Sequence, residues 1–210
     1  MRRHLVIVIL AIGLAGQLEA GAPEGFTALF NGKDLTGWKA TGDMKVWGTD
    51  ADKGVLYVSG GGGGWLMTEK EYGDFEVRLE YKMPKMGNSG VGLRAPLKGD
   101  PAYVGMEIQL LDDANWKGLR PEQQTGSIYD VVAAKKINSK PFGEWNTMRI
   151  VAKGRKITVE HNGEILVDAN LDDFEQHYKR HPGLTREKGH LGLQSYNFRV
   201  EFKNIYIKEL

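Results

Sequence analysis

Across residues 74–82 apolar and charged side chains alternate without a break, with Phe75, Val77, Leu79 and Tyr81 on one side and Asp74, Glu76, Arg78, Glu80 and Lys82 on the other. A period of two belongs to a β-strand with one buried and one solvated face, and a helix cannot present it. The opposite signs mixed on the polar side read as solvated surface. Shorter runs of strand character recur, separated by turn signals, at 26–30, 54–59, 127–132, 145–153, 156–161, 164–168, 190–196 and 200–208. Asn162-Gly163, between two of them, is a two-residue hairpin signal. Only 171–180 has helical character, and Pro182-Gly183 stops it. About a dozen short strands with almost no helix predict an all-β chain, a two-sheet sandwich or jelly roll, in one domain over 21–210. The glycines at 60–64 are expected to be a strand connection. No Lys-Ser or Lys-Thr pair and no helix start follow them, as a phosphate-cradling loop needs.

Residues 1–20 are set apart as an export leader. Arg2 and Arg3 precede an apolar run from Leu5 to Ala15, and Leu18-Glu19-Ala20 offers a cleavage site before Gly21. The sequence contains no cysteine, so an exported chain of this kind must be held together by its core alone. Without Arg2, Arg3 and Glu19, 26 basic residues face 26 acidic ones, a balance that leaves no electrostatic footprint for nucleic acid or for a membrane surface. Five tryptophans and eight tyrosines suit a neutral partner such as a carbohydrate, whose C–H faces stack on rings while its hydroxyls need paired donors and acceptors.

The stretch 87–113 carries the chemistry. Val91, Leu93 and Ala95 alternate with Gly90, Gly92 and Arg94, and after a Pro/Gly loop Met106, Ile108 and Leu110 alternate with Gly105, Glu107 and Gln109. Leu110 and Leu111 break the pattern, and a one-residue bulge there would return Asp112 to the face of Glu107 and Gln109. Glu107, Gln109 and Asp112 would then line one cleft beside Arg94, left open by two glycines. Such spacing suits a base or nucleophile, a helper and an acid. The alternative is a structural ion pair between Glu107 and Arg94. The spacing resembles the E-x-D-x-x-E motif of laminarinase-like glycosidases, with Gln109 and Asp112 departing from it. Around this cleft, Asn88, Gln194, His190 and Tyr129 are candidate substrate contacts, and Trp116 is a candidate stacking platform, whereas Trp47, Trp65 and Trp145 are expected in the core. His177 and His181 have the i, i+4 spacing of metal ligands but lack the carboxylate of the helical zinc motif, so no metal site is assigned. Loop oxygens are plentiful enough for a structural calcium, without a regular ligand spacing.

Several longer motifs, GFTALFNGKDLTGW at 25–38, WLMTEKEYGDFEVRLEYKMPKMGNSGVGLRAP at 65–96, GMEIQLLDD at 105–113, GEWNTMRIVAKGRKITVEHNGE at 143–164 and GHLGLQSYNFRVEFKNIYIKEL at 189–210, resemble the bacterial 3-keto-disaccharide hydrolase domain. The resemblance implies a jelly roll of the concanavalin A-like lectin/glucanase type, exported and acting on glycosides already oxidised at C3. A C3 ketone acidifies the C2 hydrogen, so that a carboxylate removes it, the enolate expels the C1 substituent, and water adds back. Within that chemistry Glu107 is expected to be the base, Asp112 the proton donor and Arg94 the enolate stabiliser. No organic cofactor is implied. The prior oxidation falls to a separate sugar 3-dehydrogenase, since this chain has no dinucleotide-binding fingerprint. A non-catalytic lectin-like module and a conventional laminarinase-like glycosidase are the rival readings, because the sandwich hosts all three behaviours.

Overall fold

The computed structural model describes residues 21–62 and 64–210; the expected leader lies outside the described residues. Thirteen strands are found among them: β1 (Thr27–Ala28), β2 (Trp38–Ala40), β3 (Trp47–Asp50), β4 (Val55–Val58), β5 (Gly64–Tyr72), β6 (Phe75–Lys82), β7 (Asn88–Ala95), β8 (Met106–Leu111), β9 (Trp145–Lys153), β10 (Lys156–His161), β11 (Glu164–Asn170), β12 (Gly189–Ser195) and β13 (Val200–Glu209). The larger sheet has the order β11-β10-β9-β6-β13-β4-β3, with β1 paired to β13; the smaller has the order β2-β5-β12-β7-β8. Every pairing is antiparallel. The single four-residue α-helix among the described residues, α1 (Pro101–Val104), sits in the β7–β8 connection.

The alternation read from the sequence decides which side chains meet between the sheets. Phe75, Val77, Leu79 and Tyr81 of β6 pack with Phe202 and Ile207 of β13 against Val91, Leu93, Met106, Ile108 and Leu110 of the smaller sheet. Burying each such side chain contributes about 1.5–3 kcal/mol. The Asn162-Gly163 turn has positive φ at both residues, 48° and 81°, as a hairpin turn matched to strand twist requires.

The sequence reading missed β2, β3 and β5, and one predicted strand is absent. Residues 127–132 fold into a tight turn in which Ile128 bridges both Ile108 and Val132, because Asp130 takes a positive φ of 65°. The 171–180 segment is 3-10 rather than α-helical, over Leu171–His177. Trp145 is not in the core but lies on the outer face of the larger sheet, with Lys82 and Lys203 over its ring.

A polar seam runs through the larger sheet's buried side. His161 is fully buried, its Nε2 2.9 Å from the Tyr81 hydroxyl and its Nδ1 2.5 Å from Asn138 Oδ1. An amide oxygen only accepts, so Nδ1 carries the proton and Nε2 accepts from Tyr81. Burial lowers the His161 pKa to about 4, and burial pushes the Tyr81 phenol up, with the Asp113 charge adding to it. Both rings are thus held neutral.

Candidate active site

The outer face of the smaller sheet is built in registered rows. Lys39, Met67, Gly192, Gly92 and Glu107 stand opposite one another across β2, β5, β12, β7 and β8. One step along, Trp65 pairs with Gln194 and Gly90 with Gln109. Gly90 and Gly92 were expected to leave the face open, and Gly192 lies beside them. They are covered instead, because a side chain from each neighbouring strand folds over them. The Trp65 indole lies 3.1 Å from where a Cβ on Gly92 would stand and 3.2 Å from one on Gly192. A Cβ on Gly90 would overlap Glu107 Oε1. Glycine is required at position 90 for the carboxyl to lie where it does.

Glu107 is 3% exposed, and its Oε1 is buried with no hydrogen-bond partner. Burial raises its pKa well above the ordinary carboxylate value, and the Asp100 charge adds to that. An unpaired buried carboxyl costs free energy that a purely structural residue would not impose, and such groups concentrate at functional sites. Its own backbone carbonyl accepts from Tyr129 N–H at 2.9 Å, which sets Tyr129 beside it.

Two of the expected partners of Glu107 are elsewhere. The β7–β8 register runs evenly from Asn88↔Leu111 to Leu93↔Met106, so β8 has no bulge and Leu111, not Asp112, shares the Glu107 face. Asp112 follows the end of the strand, its Oδ2 accepting from Met86 N–H and Asn115 Nδ2, both at 2.7 Å. It is a loop clasp. The bulge lies on β7: three β12 residues, from His190 to Gly192, are matched by four from Ala95 to Gly92, and Arg94 carries the positive φ of 49° that absorbs the extra residue. The Arg94 guanidinium is turned away into three carbonyls and one carboxylate, those of Gly73 (2.9 Å), Gly154 (2.8 Å), Arg186 (3.4 Å) and Asp74 (3.1 Å). It is 1% exposed, with four of its five N–H donors engaged there, so it neither pairs with Glu107 nor faces a substrate oxygen.

The other candidates divide. Gln109 is buried, with Nε2 3.4 Å from Gln123 O. Gln194 is half-buried on the strand next to Gly90. Asn88 donates its N–H to Asn197 Oδ1 at 3.0 Å, while its own Oδ1 is buried without a partner. Trp116 is pinned through Nε1 to Met86 O and Gly87 O, both at 3.2 Å, and its ring stands 6.4 Å from that of the exposed Tyr196. These form an aromatic and amide rim at the Asn88 end of the face. Tyr129 is half-buried with its hydroxyl 3.3 Å from Gln123 Nε2. His190 is engaged by Thr68 O at 2.8 Å and faces Glu71 at 3.8 Å, at the far end of its strand.

One cluster was not anticipated. Asp130, next to Tyr129, is buried and ion-paired with Arg120 and, at 2.6 Å, with Arg180; His181 Nε2 is 3.9 Å away. His181 also approaches Ala102 O of α1 at 3.3 Å and stacks on Tyr103 at 5.0 Å. Sequence periodicity does not decide which way Asp130 faces, and the i, i+4 spacing of His177 and His181, which is that of metal ligands, does not connect either histidine to it. Among the described residues no group of three or more His, Cys, Asp and Glu is arranged to hold one.

A buried, unpartnered carboxyl thus lies on one face of an antiparallel two-sheet sandwich, and comparison with known proteins gives the class, a glycoside-cleaving hydrolase. The family model described as the 3-keto-alpha-glucoside-1,2-lyase-like domain matches residues 25–208, and the chain belongs to that family. A protein of Bacteroides thetaiotaomicron named 3-keto-disaccharide hydrolase is 28% identical over 89% of this chain and 79% of its own length. A crystal structure of a candidate glycosyl hydrolase from Parabacteroides distasonis superposes with a TM-score of 0.77 at 31% identity, covering 89% of this chain and 94% of that one. The carbohydrate-binding module CBM66 of Bacillus subtilis shares the fold alone, with a TM-score of 0.58 at 13% identity over 82% of this chain and 96% of its own.

Proposed function

We propose that this protein hydrolyses the glycosidic bond of 3-keto-glycosides by elimination and rehydration, with Glu107 as the base. The Glu107 carboxylate takes the C2 proton, and the electron pair moves into C2=C3, placing the negative charge on O3. That charge returns to re-form C3=O as C1=C2 forms and the C1–O bond breaks, and the departing oxygen takes, directly or through solvent, the proton that Glu107 removed. Water then adds its hydroxyl to C1 and its proton to C2, so that the sum is hydrolysis. The observation that carries this reading is the buried Oε1 of Glu107 without a partner. The family description names a lyase and the Bacteroides relative is called a hydrolase; the two halves of this route account for both words. A conventional two-carboxylate glycosidase is disfavoured, since Asp112 is not on the Glu107 face. The Trp116, Tyr196, Asn88 and Gln194 rim supplies stacking and amide contacts for the sugar. The route needs a substrate oxidised beforehand by a separate dehydrogenase, and the leader-like sequence of residues 1–20 supports a reaction outside the cytoplasm.

The test uses the protein from Gly21 with a 3-keto-disaccharide and with its unoxidised parent, following monosaccharide release. The keto sugar alone should be cleaved; cleavage of the parent would favour the conventional glycosidase, and binding without cleavage the lectin. Glu107→Gln should lower turnover by about 10²–10⁴-fold with the fold retained, and full activity would remove Glu107 from the reaction. A base must be ionised, and burial lifts this carboxyl well above 4.5. The acidic limb of kcat/KM should therefore fall at higher pH than an ordinary glutamate gives.

A further inference from the structure

The elimination leaves negative charge on O3 at its enolate stage, and Arg94, buried and turned into loop carbonyls, cannot meet it. The only other basic groups gathered around a buried carboxylate beside Glu107, among the described residues, are those of the Asp130 cluster. Asp130 directly follows Tyr129, whose N–H is bonded to the Glu107 carbonyl. Its positive φ of 65° is uncommon for a residue with a side chain. The Arg120 and Arg180 side chains, 55% and 63% exposed, each give one terminal nitrogen to it. A guanidinium has five N–H donors, so each arginine keeps most of them for another oxygen. Arg180 also lies over the Tyr103 ring at 5.9 Å, which fixes it against α1, on the side from which the Asp100 charge reaches Glu107.

We propose that Arg120 and Arg180, held in place by Asp130, form the cationic edge that stabilises the enolate oxygen produced when Glu107 removes the C2 proton. This rests on the elimination reading above, and it assigns the step's second requirement to residues that sequence spacing did not connect. Asp130 is a positioning residue, and the arginines are the groups that meet the substrate. Both guanidiniums are anchored before substrate arrives, so little reorganisation accompanies the charge.

The enolate step can be read without the cleavage step. A 3-keto-1,5-anhydro sugar has no leaving group at C1, and its C2–H exchanges with D2O only through the enolate, which NMR follows directly. The wild-type protein should catalyse that exchange, and Arg180→Gln and Arg120→Gln should each slow it about 10²-fold with an unchanged melting temperature. Arg180→Lys should recover part of the rate, as should added guanidinium with Arg180→Gln. Exchange at the wild-type rate in both glutamine variants would overturn this inference while leaving the elimination route standing. No exchange in the wild type would overturn the elimination route and this inference with it. Asp130→Asn should slow exchange through misplacement of both arginines; an unaltered rate would remove Asp130 from the arrangement.

Discussion

Two glutamates, each on a strand and each nearly buried, are treated in opposite ways by the two sheets. Glu76 of β6 is 8% exposed and is met at 2.7 Å by Arg78 Nε and at 2.7 and 3.0 Å by Arg149 Nε and Nη2. The Arg149 hydrogen bonds hold its carboxyl below the ordinary value. Glu107 of β8, with no partner for Oε1, is pushed the other way by burial. Around Glu76 the charges form a ladder with no loose ends: Glu160 reaches Arg149, Lys82 reaches Glu201 and Lys203 reaches Glu80. The larger sheet's outer face is charged because it is solvated, and the smaller sheet's face has an unpaired charge because something must use it. Pairing with arginines marks Glu76 as structural, and the absence of a partner is what sets Glu107 apart.

Gly90→Ala is the sharpest way to break this contrast, since its Cβ would overlap Glu107 Oε1 and displace the carboxyl. Turnover of the keto-glycoside should fall about 10²-fold or more with the circular dichroism spectrum kept, and an active variant would detach the glycine from the site. His161 supplies a third case, buried and satisfied but neutral. With its folded pKa at about 4 against 6.5 when free, its contribution is present above 6.5 and lost as pH falls through 4. That amounts to roughly 3 kcal/mol. His161→Gln should be less stable at neutral pH and should flatten urea-unfolding stability between pH 6.5 and 4; an unaltered slope would mean that another group titrates there.

The two glutamates should give opposite signatures in the same unfolding experiment. Glu76→Gln should cost about 1.5–3 kcal/mol at neutral pH, fading as acid protonates the wild-type carboxyl, with activity unaffected. The Glu107 pKa is raised in the folded state, so folding takes up a proton over the window above 4.5 and stability falls as pH rises through it. Glu107→Gln has no such loss and should become the more stable protein as pH increases, the mark of a group retained for activity. A Glu107→Gln protein less stable than wild type at neutral pH would contradict the absence of a partner. The smallest effect belongs to the exposed Lys136–Glu164 pair, whose side chains are 52% and 50% accessible. Lys136→Gln should change stability by less than about 0.5 kcal/mol, and a larger loss would show that the surface ladder is more than solvated.

The strands that alternate cleanly were legible without coordinates. β9 and β10 match their predicted spans, and β6 begins one residue later than predicted, because an antiparallel strand with one wet face writes its burial into every second residue. β5 was missed for the complementary reason. Trp65 packs with Met67 and Ala95 on the outer face and Leu66 on the inner, so both faces are apolar and the period vanishes.

At the site, the sequence by itself determined that Glu107 and Gln109 share a face with Gly90 and Gly92, since strand parity is local. It also carried the family, through motifs spread over the whole domain. Only the tertiary structure decided which strand bulges. A bulge on β8 and one on β7 are equally compatible with the order of residues, and cross-strand register put it at Arg94, spending that arginine on loop carbonyls and leaving Asp112 outside the cleft. The Asp130 cluster has the same origin. Arg120 and Asp130 come from the β8–β9 connection and Arg180 and His181 from the β11–β12 connection, and no periodicity relates residues of two loops that meet only in the folded chain.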